Sequence, residues 1–112
     1  MAYAEHEVTG NLDALVTHLD ATITSGSVTA RLEVRSDRQI GDARLVVLAY
    51  ERYSLVGGNR LGLTFSILGT GDRIAITTVT TGGSQAMFFK INTFGEEAFL
   101  DRAVAAITSF PG

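Results

Sequence analysis

Two helical stretches separated by a long run of strand-like segments predict an α+β fold: an antiparallel sheet of five to six strands with two helices on one face, in the order β-α-β-β-β-β-β-α. Three observations carry this expectation. Leu12, Leu15, Val16, Leu19 and Ile23 recur at helical spacing near the start of the chain, and Phe99, Leu100, Ala103, Val104 and Ile107 do so near its end. Between them, consecutive segments alternate apolar and polar residues with period two, broken by glycine-containing turns.

Residues 2–8 alternate weakly, with Ala2, Ala4, His6 and Val8 on one side and Tyr3, Glu5 and Glu7 on the other, as in a short edge strand. Asn11 is placed to cap the first helix and Gly26 to end it. Val28, Ala30, Leu32 and Val34 then alternate with Thr29, Arg31, Glu33 and Arg35, a strand buried on one face and wet on the other, and residues 36–42 read as the following turn. Residues 43–53 are apolar at both parities between Leu45 and Tyr50, the pattern of a central strand with both faces at least partly covered. Leu61, Leu63, Phe65 and Ile67 share one face of the next strand. The turn at residues 69–72 leads into residues 73–81, rich in β-branched side chains. Residues 85–92, where Met87, Phe89 and Ile91 alternate with Phe88 and Lys90, read as one more strand. Thr93 and Glu96 have the spacing of a capping box ahead of the closing helix, which stops before Pro111.

Two known architectures share this order, the repeat of TATA-binding proteins and a reduced helix-grip fold in which a curved sheet wraps a C-terminal helix. Neither fixes a function. With 112 residues, the sequence is expected to form a single domain spanning residues 1–112. Its 46% hydrophobic and 19% charged content is that of a folding chain and not of a disordered one. A formal charge of −3 gives no bulk attraction for phosphate backbones, so nucleic acid is not an expected partner. The absence of cysteine removes thiolate catalysis and Cys-ligated metal sites. The start of the sequence lacks the basic and apolar regions of a signal peptide, and no segment approaches the roughly 20 apolar residues of a membrane span. A cytoplasmic protein without membrane contact is expected.

The most informative polar features are the glycine turns Gly57-Gly58-Asn59-Arg60 and Gly82-Gly83-Ser84-Gln85. In an antiparallel meander alternate turns fall at the same end, so these two meet, joined by Gly26. Glycines there ordinarily supply positive φ while polar neighbours hydrate the turn. The functional reading is that Arg52 or Arg60, with neighbouring amides, holds an anionic or carbonyl-bearing ligand. Arg52, Tyr53, Asn59, Arg60, Ser84 and Gln85 are therefore the candidate ligand-binding residues.

Catalytic chemistry has little support. Gly69-Thr70-Gly71 precedes a strand, whereas a dinucleotide fingerprint follows a strand and opens a helix. His6 and His18 lie on different elements, and His18, beside Leu15 and Leu19, reads as a packing residue; no metal site and no cofactor are expected. Glu51 in a largely apolar strand needs a partner, either in a cross-strand ion pair or, with Tyr53, in a pocket. Glu96 and Glu97 read as acidic residues favoured in the first turn of a helix. No catalytic residue is assigned.

Residues Tyr50-Glu51-Arg52-Tyr53-Ser54, Gly57-Gly58-Asn59-Arg60, Gly82-Gly83-Ser84-Gln85-Ala86 and Phe88-Phe89-Lys90-Ile91-Asn92-Thr93-Phe94-Gly95-Glu96-Glu97 resemble an uncharacterised family of small bacterial proteins, a domain of unknown function. The resemblance implies a single-domain bacterial cytoplasmic protein and supplies no catalytic residue. The leading expectation is a non-enzymatic module that binds a small molecule or a protein partner at the glycine-turn end or in a groove between helices and sheet. The alternative is a structural homo-oligomer using the open sheet face, and the third reading is an acid/base enzyme centred on Glu51 with His6 or Tyr53.

Overall fold

The computed structural model describes residues 1–26, 29–53, 60–82 and 89–112, with residues 89–95 as backbone only. Its elements are β1 (Ala2–Thr9), α1 (Leu12–Ser25), β2 (Arg31–Ile40), β3 (Ala43–Tyr53), β4 (Arg60–Thr70), β5 (Arg73–Thr81) and α2 (Phe89–Thr108). The strands form one antiparallel sheet in the order β1-β5-β4-β3-β2, so β1 and β2, joined through α1, are the two edges. This is the expected α+β class, with five strands.

Both helices lie on one face. Leu15, Val16, Leu19 and Ile23 of α1 and Phe99, Ala103, Ala106 and Ile107 of α2 close over Val46, Leu48, Tyr50, Leu61, Leu63, Phe65, Ile67, Ile74 and Ile76 of the sheet, and all are buried. The period-two alternation of β3, β4 and β5 sets this single-sided core, because every second side chain points at the helix layer. Asn11 caps α1 by accepting a hydrogen bond from the Ala14 amide at 2.9 Å. The Tyr50 hydroxyl donates to Asp20 Oδ1 at 2.7 Å and ties α1 to β3. Its burial, then the carboxylate beside it, push the phenol far above its ordinary value.

Three expectations need correction. The segment 36–40 belongs to β2, and the turn is confined to Gly41 and Asp42, with Gly41 at φ +57°. A positive φ at the first central residue suits the two-residue hairpin that glycine favours, so the polar residues before it can pair instead of looping. The alternation over residues 28–35 does not bury Leu32 and Val34: a bulge between Leu32 and Val34 breaks the register, and β2 is exposed along almost its whole length. Last, the strand expected over 85–92 falls partly outside the described residues, and Phe89–Asn92 begin α2. Thr93 and Glu96 therefore sit inside a helix and form no capping box. Glu96 is buried, where its carboxylate accepts from the Met1 amino group at 2.6 Å and its backbone carbonyl accepts from Thr80 Oγ1 at 3.2 Å.

Candidate functional site

The register places Arg31, Glu51, Gly62 and Thr81 in one row across the sheet, next to the Tyr53–Arg60 pair. These residues end their strands together, so the ends of β3, β4 and β5 collect where the sequence puts the glycine turns. Of the six candidate residues, Arg52, Tyr53 and Arg60 lie at this end. Asn59, Ser84 and Gln85 lie outside the described residues.

Alternation then divides the three. Tyr53 and Arg60 face the side of the sheet away from the helices, with Glu51 beside them on the same face. Arg60 Nη2 donates to the Tyr53 hydroxyl at 3.2 Å and Nη1 to Glu51 Oε1 at 3.4 Å, while the Arg60 guanidinium carbon lies 5.5 Å from the Tyr53 ring centroid. Glu51 is thus the cross-strand ion-pair partner of Arg60. A shallow concavity of ≈ 330 Å³ at this sheet end is lined by residues including Arg31, Glu33, Glu51, Arg52 and Arg60, three cations against two carboxylates.

Arg52 turns the other way, into the helix layer. Its guanidinium carbon sits 4.3 Å from the centroid of the Phe99 ring, a buried residue of α2. Burial, and then the like charge of Arg102, lower the Arg52 pKa. Arg102 lies over the C-terminal end of α1: a Cβ at Gly26 would come 2.0 Å from its Nη2, so the glycine leaves room for the guanidinium. A cation at the carbonyl end of a helix is favourably placed. No carboxylate is in ion-pair distance of Arg52 or Arg102 among the described residues, and the remaining segments contain no Asp or Glu. Two adjacent guanidiniums with no described carboxylate in ion-pair distance make this a positive position at the sheet end.

The sequence reading missed Phe99 and Arg102 as parts of this site. Their separation of three residues, which puts them on one helix face, was the available signal.

Histidine chemistry finds no assembly. His6 is on β1 and faces the helix layer, whereas Glu51 is on β3 and faces away from it, with β4 and β5 between. The pairing of Glu51 with His6 that an acid/base enzyme would use is not formed. His18 Nε2 instead bridges α1 to the end of α2, 2.9 Å from the Ala106 carbonyl and 2.9 Å from Ser109 Oγ, with its ring against Phe110. Among the described residues no group of three His, Asp or Glu side chains is arranged to hold a metal ion, and no helix is long and apolar enough to cross a membrane.

The sequence matches a family of unknown function over residues 1–111. The chain belongs to DUF6054. Membership in DUF6054 covers the whole sheet and both helices but assigns no activity to either end of the sheet. No curated protein matches the chain. Among solved structures, the crystal structure of TTHA0849 from Thermus thermophilus is similar over 99% of this chain and 99% of that chain, with 9% identity and a TM-score of 0.28. A superposition at that level transfers neither site nor function to this DUF6054 chain.

Proposed function

We propose that this chain is a non-enzymatic binding module for an anionic or carbonyl-bearing small molecule, held at the Arg52 end of the sheet. The observation that carries the reading is the half-buried Arg52 guanidinium stacked on Phe99 beside Arg102, with no carboxylate of the described residues in ion-pair distance of either cation. An anion seated between them would relieve both the lost hydration and the mutual repulsion. Arg60 is the weaker anchor of the candidate residues, since it is exposed and its charge is already paired with Glu51.

Thermal unfolding in a panel of acetate, succinate, citrate and inorganic phosphate tests this, with Arg52→Met keeping the length of the side chain. A probe at 100 times its Kd adds about 2.7 kcal/mol to the folded state. That is on the order of 10 °C in Tm for a domain of this size. The shift should be seen in the wild-type protein and be absent in Arg52→Met. Equal shifts in both, or none in either, reject the site. Native mass spectrometry of freshly purified protein then shows whether a ligand is retained from the cell.

A second reading, a homo-oligomer through the open sheet face, is favoured by the exposed Tyr3 and Leu68 on the face away from the helices. Leu68→Asp should dissociate such an assembly, and no change in mass on that substitution dismisses the face.

A further inference from the structure

Strand β2 is one of the two edges of the sheet, and it is exposed along almost its whole length. Three of its apolar side chains face water, Leu32 at 38%, Val34 at 54% and Ile40 at 86% exposure. A ten-residue open edge is a template for another strand unless something blocks it.

The hairpin fixes which of its groups are available. Ile40 and Ala43 close the two-residue turn and exchange hydrogen bonds, after which bonded and non-bonded pairs alternate. Arg38, Ser36 and Val34 thus bond inward to β3, while Arg35, Asp37 and Gln39 direct their amides and carbonyls outward. An antiparallel copy must match outward residues to outward residues, which leaves few registers.

Charge chooses among them. Pairing Arg35 with itself sets Asp37 against Glu33, and pairing Asp37 with itself sets carboxylate on carboxylate. Centring on Arg38 stacks that residue on its own copy. Only the register centred on Ser36 sets Arg35 opposite Asp37 of the second copy, twice by symmetry, with Val34 beside the aliphatic stem of Arg38. Within one chain Arg35 and Asp37 already face each other at 2.9 Å on the helix side of the strand, with Arg44 3.7 Å from Asp37, so the paired edges would set alternating charges of the two copies side by side. The bulge near Glu33 ends the ladder at either extremity.

We infer that β2 pairs with β2 of a second copy, antiparallel about a two-fold axis at Ser36, joining two sheets into one continuous ten-stranded sheet. This interface is separate from the Arg52 site and from the open face, and does not rest on the ligand reading.

Cross-linking and charge exchange test it. In this register Ser36 meets its own copy in a non-hydrogen-bonded pair, with Cα atoms about 4.5 Å apart, inside the range a disulfide spans. The chain has no cysteine, so Ser36→Cys introduces a single thiol. Mild oxidation should convert it to a covalent dimer, and Ile40→Cys should cross-link far more slowly. Sedimentation velocity should show a wild-type dimer, a Kd raised roughly tenfold or more by Asp37→Arg, and recovery in the double variant Arg35→Asp with Asp37→Arg. A wild-type monomer at high concentration overturns the inference. So does a dimer indifferent to Asp37→Arg or dissociated only by Leu68→Asp, as does Ser36→Cys that oxidises no faster than Ile40→Cys.

Discussion

Replacing Tyr50 with phenylalanine tests how α1 is fastened to the sheet and carries a pH signature that packing alone cannot imitate. Tyr50 is 1% exposed and its hydroxyl donates to the Asp20 carboxylate at 2.7 Å. Removing the hydroxyl keeps the ring and its edge-on contact with Phe65, so the loss is that of one hydrogen bond to a charged acceptor. Such a bond is worth about 1.5 kcal/mol, at the lower end of its range because Asp20 can regain water. Urea unfolding at pH 7 should therefore show Tyr50→Phe less stable by about that amount with an unchanged m value. The folded phenol is raised above its ordinary 10.0, so the folded state holds the proton after the unfolded chain releases it. The contribution is complete below pH 10 and declines above it, at about 1.4 kcal/mol per pH unit, because the unfolded state gains from ionising. The phenylalanine variant has no such term. The gap between the two proteins should close near pH 11, while Tyr3 and Tyr53 cancel in the difference. Stability curves that stay parallel from pH 8 to 11 would refute the buried donor.

Two further predictions concern the end of the sheet opposite Arg52. Gly41 and Gly71 take φ of +57° and +61°, and no neighbouring atom lies within 4 Å of where a methyl group would sit, so alanine at either costs backbone strain alone. About 1 kcal/mol is expected, a fall of roughly 5 °C in Tm, and asparagine should recover part of it. Hydrogen bonds from Arg44, then its charge, hold the exposed Asp13 carboxyl below 3.8. Its contribution is present above the ordinary carboxylate range and lost as pH falls through the depressed value, so the difference between wild type and Arg44→Met should shrink below pH 4. Added salt should shrink it at neutral pH as well, since both partners are solvated. A difference that survives 1 M salt would mean that Arg44 acts through packing.

What was legible in the sequence follows from local physics. Residues 43–53 and 73–81 match their strands because an apolar run at both parities and an enrichment in β-branched side chains are properties of the segment itself. Helix α1 announced itself through Asn11 and Gly26, one satisfying a free amide and the other ending the turn. The start of α2 did not. Met87, Phe89 and Ile91 alternate as a strand would, yet Phe89–Asn92 are helical and run into the part of α2 whose Phe99, Ala103 and Ile107 cover the sheet, a tertiary contact that local alternation does not report. Strand β2 misled for another reason: its polar run at 36–40 looks like a loop when read alone, but an edge strand has both faces open to water and needs no apolar stripe.

The candidate site shows where such reading stops. Position 52 could be placed at one end of a central strand and on the face opposite Glu51, since parity alone decides that. Its surroundings depend on α2, whose Phe99 is 47 positions away along the chain (99 − 52) and whose Arg102 comes to the same spot one helical turn later. No local pattern links such residues. The sequence makes Arg52 and Arg60 look equivalent, two arginines beside two glycine turns, and the fold separates them across the sheet. One meets a carboxylate and a phenol in water; the other meets an aromatic ring and a second guanidinium in a half-buried layer. Free energy distinguishes them, because a solvated, paired cation gains little from a further anion, whereas a desolvated, repelled one gains both charge compensation and hydrogen bonds. Anion affinity should therefore follow Arg52 and not Arg60: Arg60→Met should keep the anion-dependent rise in Tm that Arg52→Met loses. The reverse result would place the ligand on the open face of the sheet.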